Sequence, residues 1–279
     1  LRRALALSLI IPAGYALGLA LGPVPGDRIL VSALLFSLMT ASIADADFRH
    51  LRPRDALKGV ALSYGLGGAA VALTSILVPA GVLRRGFLVI AFTPPALSSI
   101  AYATVLGGNP SRALAYLSSS YLAALVLLPL GTLLLFGEAA SPLRVAEYVL
   151  LFIAVPAALS PLARRVDARA RRAFSLAMVF VIAAILAGGV RDELLSAKSL
   201  YLLPAVVLRA WGGAAALSAA TDEVEAPIMA GMRNGGLAAV TVALIAGYAP
   251  TLPIILSGPF EFAIPGIAEL VRSHKEGRK

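Results

Sequence analysis

Apolar residues run along this chain in long blocks without a two-residue alternation. Ten blocks can be drawn: 4–22, 29–46, 57–79, 86–108, 111–136, 145–163, 173–190, 199–220, 224–247 and 251–271. Each lies near the ~20 residues an α-helix needs to cross a hydrocarbon core. Their length and Leu/Ala richness predict helices rather than buried strands. Two blocks are interrupted. In 86–108 the run is stopped by Thr93-Pro94-Pro95, because proline lacks an N–H and pushes the residue before it toward extended backbone. In 224–247 it is stopped by Gly231-Met232-Arg233-Asn234-Gly235-Gly236, where glycine weakens the helix. A break at membrane depth frees N–H and C=O groups, which are tolerated only against protein or a wet cavity. The broken blocks are the fourth and the ninth, the same position in each half. Five helices per half force the second half to insert upside down. The pattern therefore predicts an all-α polytopic membrane protein of ten transmembrane helices. Residues 1–137 and 143–272 form two inverted five-helix repeats, joined through the loop 138–144. Interrupted segments at matching positions point to a transporter's binding site.

Composition agrees with a membrane protein. Hydrophobic residues make up 59% of the 279 and charged residues only 14%, against about 25% charged in a soluble chain. Mean hydropathy is +0.87. The net charge of +9 sits in short loops, which is the positive-inside pattern and not a nucleic-acid patch. Of the 24 Lys and Arg, 16 fall on the N-terminal side of the predicted membrane and 6 opposite, with Arg209 and Arg233 inside it. Both termini are therefore expected in the cytoplasm, with the chain in the cell (plasma) membrane. Leu1-Arg2-Arg3 before an apolar run imitates a signal peptide, but 4–22 is long enough to span. The absence of cysteine excludes disulfides, thiol catalysis and Cys-bound zinc. His50 and His274 lie in a loop and the tail, so no metal or other cofactor is predicted. Composition leaves monomer and homodimer open.

Chemistry is sparse and therefore conspicuous. Arg233 lies ~13 Å into the ninth segment and Arg209 roughly 16 Å into the eighth, at 1.5 Å per residue. Glu261 is the acid clearly inside a segment, at comparable depth in the tenth. An intramembrane ionisable residue marks a functional site by default. The alternative is a structural Arg–Glu pair with a snorkelling arginine. Thr93, Ser98, Ser99 and Asn234 stand at the breaks. Half-helix N-termini after Pro95 and Gly236 suit a carboxylate or sulfate. Arg233, Asn234, Thr93, Ser98 and Ser99 are thus the candidate substrate-binding residues, with Arg209 and Glu261 as supporting charges. Asp222, Glu223 and Glu225 precede the ninth segment as helix-capping acids.

Several stretches resemble the bile acid:sodium symporter family. They are Leu35 to Met39, Asp47-Phe48-Arg49, Arg52-Pro53-Arg54, Gly86 to Ala91 with Pro94, Gly108-Asn109, and Gly231-Met232-Arg233-Asn234-Gly235-Gly236-Leu237-Ala238. Together they span about residues 29–131 and 199–247. The resemblance implies a panel domain of helices 1, 2, 6 and 7 and a core domain of helices 3–5 and 8–10, with helices 4 and 9 crossing at their breaks. It implies secondary transport of a small organic anion by alternating access, coupled to two sodium ions. Departures from the family fall on its sodium ligands: Ile100, Ala113, Leu117, Met229 and Arg233 replace them, while Ser99 and Ser63 stay polar. Sodium coupling is accordingly not expected to carry over.

Other readings are an auxin-efflux-type carrier or a passive facilitator of the same fold. A more distant one is an intramembrane aspartyl (prepilin-type) peptidase, through Asp45-Ala46-Asp47. That enzyme needs two cooperating carboxyls, and Asp192 has the wrong spacing and falls on the opposite face. No enzymatic activity is therefore expected. The charge count makes a direct prediction. Single cysteines placed at Ser111 and Ser273 should react with impermeant thiol reagents from the cytoplasm only. Labelling of either in intact cells would overturn the topology.

Overall fold

Prolines and glycines decide where the helices of this chain stop. The computed structural model describes residues 2–24, 27–44, 52–137, 143, 147–148 and 150–276, and among these no strand occurs. The first half supplies α1 (Arg2–Leu21), α2 (Asp27–Ile43), α3 (Pro53–Leu77), α4 (Val82–Val89, continued by a 3-10 turn at Ile90–Phe92), α5 (Ser98–Val105) and α6 (Pro110–Phe136). The second supplies α7 (Leu150–Ala163), α8 (Ala168–Gly189), α9 (Arg191–Leu195), α10 (Ser199–Ala220), α11 (Glu225–Gly231), α12 (Gly235–Ala246), α13 (Leu252–Glu261) and α14 (Ile264–Glu276). Pro53 and Pro110 sit in first turns, where a missing N–H is harmless. Asn109 and Asp167 cap α6 and α8, each carboxyl or amide oxygen accepting two main-chain N–H groups.

Among the described residues four helices are long and apolar enough to cross a membrane: α3, α6, α8 and α10. The pair α13 and α14, bent by 45°, would make a fifth. Ile10–Leu21 of α1, Arg28–Ala41 of α2, α7 and α12 are shorter apolar helices. The all-helical fold thus fits a membrane protein. The segments 86–108 and 224–247 differ from continuous spans, as their prolines and glycines required: each is two short helices with extended backbone between.

Packing follows residue size. Along α1 and α8, glycine lets the backbones meet: a Cβ on Gly14 would come 2.7 Å from the Phe180 carbonyl oxygen, and one on Gly18 would strike the Ala184 backbone. Close approach through small residues is how apolar helices associate without a hydrophobic drive. Helix α8 also packs on α2, and α2 on α7. Separately, α3 packs on α6 and α11, and α10 on α11 and α14. One end of this second group carries an ionic cluster. Lys58 of α3 pairs with Glu223, Arg112 of α6 lies 3.8 Å from both Glu223 and Glu225, and Lys275 of α14 is 2.7 Å from Asp222. Glu225, 1% exposed, accepts the Asn109 N–H. These acids therefore tie α11 to its neighbours more than they cap it.

Helix interruptions free carbonyls, and side chains cover them. Pro161 cannot donate to the Ala157 carbonyl, and Ser160 Oγ donates to it at 2.8 Å. Pro259 likewise leaves the Ile255 carbonyl of α13 without its helical donor, and the Tyr15 hydroxyl of α1 donates there at 2.7 Å. Tyr15→Phe should therefore destabilise the protein by about 0.6–1.5 kcal/mol, the range for one interhelical hydrogen bond. In a Pro259→Ala background, where residue 259 regains its N–H, the same substitution should cost distinctly less. Thermal unfolding of the four proteins in detergent measures the coupling; additivity would show that the tyrosine does not replace the missing donor.

Candidate functional site

The two breaks meet and repair each other. Pro94 and Pro95 hold the chain extended after α4, and Met232 to Asn234 run extended after α11. The segments lie antiparallel, with Asn234 N–H donating to the Pro94 carbonyl at 2.9 Å and Ala96 N–H to the Met232 carbonyl at 3.0 Å. Pro95 and Arg233 face each other in this two-bond rung. Backbone groups that a broken helix leaves without partners thus find them in the other break. On the α12 side Asn234 is the cap, its Oδ1 accepting Leu237 N–H at 3.0 Å. On the α4 side Thr93 Oγ1 donates back to the Ile90 carbonyl at 2.9 Å.

Arg233 is 1% exposed, and its guanidinium turns back onto the end of α4. Nε donates to the Ile90 carbonyl at 3.2 Å, Nη2 to the Ala91 carbonyl at 2.9 Å, and Nη1 to the Ser63 carbonyl at 2.8 Å. The Tyr64 ring lies beneath, its centroid 5.4 Å from the guanidinium carbon. Ser63 and Tyr64 belong to a π-helical stretch of α3, Ala61–Gly67. Gly67 leaves the room: a Cβ there would meet Nη1 of Arg233 at 3.2 Å as well as the Ala230 backbone. A cation over the carbonyl end of a helix is favourable because that end is the negative one.

A second arginine does the same for α11. Arg209, in the π-helical stretch Leu208–Gly212 of α10, pairs with Glu261 through Nη2 and reaches the Gly231 carbonyl through Nη1 at 3.4 Å. The other oxygen of Glu261 accepts the main-chain N–H of Arg233 at 3.0 Å. All three charges are buried, at 3%, 1% and 5% exposure for Arg209, Arg233 and Glu261. Two guanidinium groups and one carboxylate leave one net positive charge.

Several sequence-predicted residues converge here. Thr93, Arg233 and Asn234 lie in the paired breaks, Ser98 opens α5, and Ser99 is buried in its first turn with no partner for its hydroxyl among the described residues. Arg209 and Glu261 buttress the far side. The sequence expectation is that the Arg233 guanidinium meets an anion; in the structure three of its five N–H groups are bonded to protein carbonyls, two at the end of α4 and one within α3. Of the replaced family positions, Ala113 and Met229 are buried in one apolar cluster with Tyr102 and Ile228, and Leu117 in another with Val89 and Tyr121. Ile100 is partly buried against both clusters, and Ser63 Oγ bonds Ser120 Oγ at 2.8 Å.

Sequence reasoning missed a hydroxyl-bearing wall. Tyr121 accepts from Asn234 Nδ2 at 2.9 Å, and Tyr64 donates to the Ser120 carbonyl at 2.7 Å. The run Tyr116-Leu117-Ser118-Ser119-Ser120-Tyr121 within an otherwise apolar helix was the available signal. A cleft of ≈ 500 Å³ opens elsewhere, among Asn109, Arg112, Glu223, Glu225 and Arg272; none of the crossing residues lines it. Asp45 and Asp47 lie outside the described residues, and Asp192 is exposed in α9.

Comparison with known protein families and with curated proteins finds no match to this chain. The resemblance therefore rests on the quoted residues alone.

Removing the guanidinium takes a donor from the Ile90, Ala91 and Ser63 carbonyls, of which Ile90 keeps Thr93 and Ser63 keeps the Gly68 N–H. Arg233→Gln is expected to destabilise the ligand-free protein by about 2–4 kcal/mol, and Arg233→Lys by nearly as much, since a point charge cannot serve three divergent acceptors. Unfolding in detergent without added anion is the measurement. Unchanged stability of Arg233→Gln would refute the carbonyl-capping role.

Proposed function

We propose that the chain is a secondary transporter of a small organic anion, working by alternating access with the anion held at the paired breaks. The observation that carries this reading is electrostatic. Both half-helices that end at the crossing, α4 and α11, have their carbonyl ends covered by guanidinium groups. Both half-helices that begin there, α5 and α12, keep their positive N-terminal ends, beside the half-buried Ser98 and Asn234-Gly235-Gly236. Each helix terminus is equivalent to roughly half an elementary charge. With the negative ends covered by guanidinium groups and one positive charge in excess of Glu261, the crossing favours an anion, although the N–H groups of Ser99, Ile100, Gly235 and Leu237 already bond within their own turns. Asn234 and Ser98 border the opening, Ser99 and Thr93 lie just behind it, and Arg233 acts by holding the crossing together and by its charge.

Ten crossings in two inverted repeats remain the best account of the helix order. Support comes from broken helices at the fourth and ninth positions and from π-helical stretches in the third and eighth. The separate packing of α1, α2, α7 and α8 supports a panel, and that of the remaining long helices a core. The meeting of Lys58, Arg112 and Lys275 at one end supports the cytoplasmic side assigned by charge counting. On this reading both termini are cytoplasmic in the cell membrane.

Sodium is not required on this reading, because a tethered guanidinium already occupies the carbonyl-lined end of α4 and apolar side chains stand at most family ligand positions. Protein reconstituted in liposomes tests it: uptake of a radiolabelled monocarboxylate such as pyruvate is expected to persist when choline replaces sodium at constant pH. Strict loss of uptake in choline would mean a sodium site exists. Absence of uptake and of binding for pyruvate, acetate and sulfate alike would overturn the anion-site reading itself.

A further inference from the structure

Asn234 and Tyr121 together define the direction of one hydrogen. The amide of Asn234 is fixed by its cap: Leu237 N–H requires Oδ1, so the NH2 group faces Tyr121 and the sulfur of Met39. Tyr121 Oη therefore accepts from Asn234, and its own O–H must point elsewhere. Among the described residues nothing accepts that hydrogen, although Tyr121 is 2% exposed. A buried donor without an acceptor is costly, and such groups in native structures have a reason. Here the donor stands at the half-buried opening of α12, where Asn234, Gly235 and Gly236 are the accessible residues. Beside it the Met39 sulfur lies 3.7 Å from the same Asn234 amide, and Leu35, Leu237 and Ala238 belong to the large apolar cluster that includes Tyr121.

We propose that the Tyr121 hydroxyl is the specificity-determining donor for the anion, bonding one carboxylate oxygen at the N-terminus of α12. The inference rests on the anion-transporter reading and deepens it. Both arginines of the crossing are engaged with carbonyls or Glu261, and the Gly235 and Leu237 N–H groups are bonded within their own turn, so the anion is recognised by neutral donors: this phenol and the Gly236 N–H. A site of that kind beside an apolar cluster fits a monocarboxylate carrying a small apolar body. It disfavours dianions, which a free guanidinium pair would be needed to desolvate.

The experiment uses the purified full chain, titrated calorimetrically with pyruvate and with sulfate. Wild type is expected to bind pyruvate more tightly than sulfate. Tyr121→Phe should weaken pyruvate binding by about 10- to 100-fold, the factor for losing one hydrogen bond to a charged group. Its ligand-free melting temperature should fall modestly, because phenylalanine also removes the acceptor of Asn234 Nδ2, so binding is compared on protein shown to be folded. A second readout does not depend on that variant folding. With 3-fluorotyrosine incorporated at position 121 alone, saturating pyruvate should shift the fluorine resonance. Normal pyruvate binding by Tyr121→Phe, or an unmoved resonance in labelled protein that does bind, overturns the role of Tyr121 and leaves the anion site standing. Wild type that binds neither pyruvate nor sulfate removes both.

Discussion

A carbonyl at the end of a broken helix, where no water can reach it, needs a donor from the protein, and most of the crossing follows from meeting that need. Arg233 brings three donors to Ile90, Ala91 and Ser63 from a residue that is itself part of the other break. The same residue therefore interrupts one helix and finishes another. Its main-chain N–H is taken by Glu261, which in turn holds Arg209 against the end of α11. Without this closed set of partners, α4 and α11 would each end in exposed polar backbone inside an apolar body, which is the arrangement membranes exclude.

Satisfying the carbonyl ends has an electrical result. A symmetric crossing of four half-helices brings two positive and two negative ends together and is close to neutral. Here guanidinium groups sit on the negative ends only. The asymmetry lies in backbone dipoles and buried side chains, so it is fixed with the fold and independent of any ion in solution. It also accounts for a crossing with two buried arginines and one buried glutamate, since one excess charge is tolerable when helix ends share it.

Much of this could be read from residues, and the limits were physical. Pro94-Pro95 and Gly235-Gly236 announce the breaks because their effects on the backbone are local. The depth of Arg233, Arg209 and Glu261 follows from counting. Direction does not: a guanidinium on a flexible stem can face a ligand, a carboxylate or a carbonyl, and only the packed neighbours of Arg233 decide. The pairing of Pro95 with Arg233, the π-helical stretches that present Ser63 and Arg209, and the hydrogen bond from Asn234 to Tyr121 join residues more than a hundred positions apart or depend on one extra residue per turn. Neither leaves a periodic trace. Glu225 shows the converse error, because proximity to a helix start suggested capping when its carboxylate crosses to Asn109.

The proline in α13 has a consequence for the contact between α13 and α1. An ordinary helix carbonyl is bound along its own axis, and pulling a neighbour away leaves it as it was. The Ile255 carbonyl has no such bond from residue 259, and the side-chain donor it receives among the described residues belongs to α1. Losing that donor breaks one contact and unwinds nothing in α13. The bond therefore joins two helices without being part of either helix's own ladder.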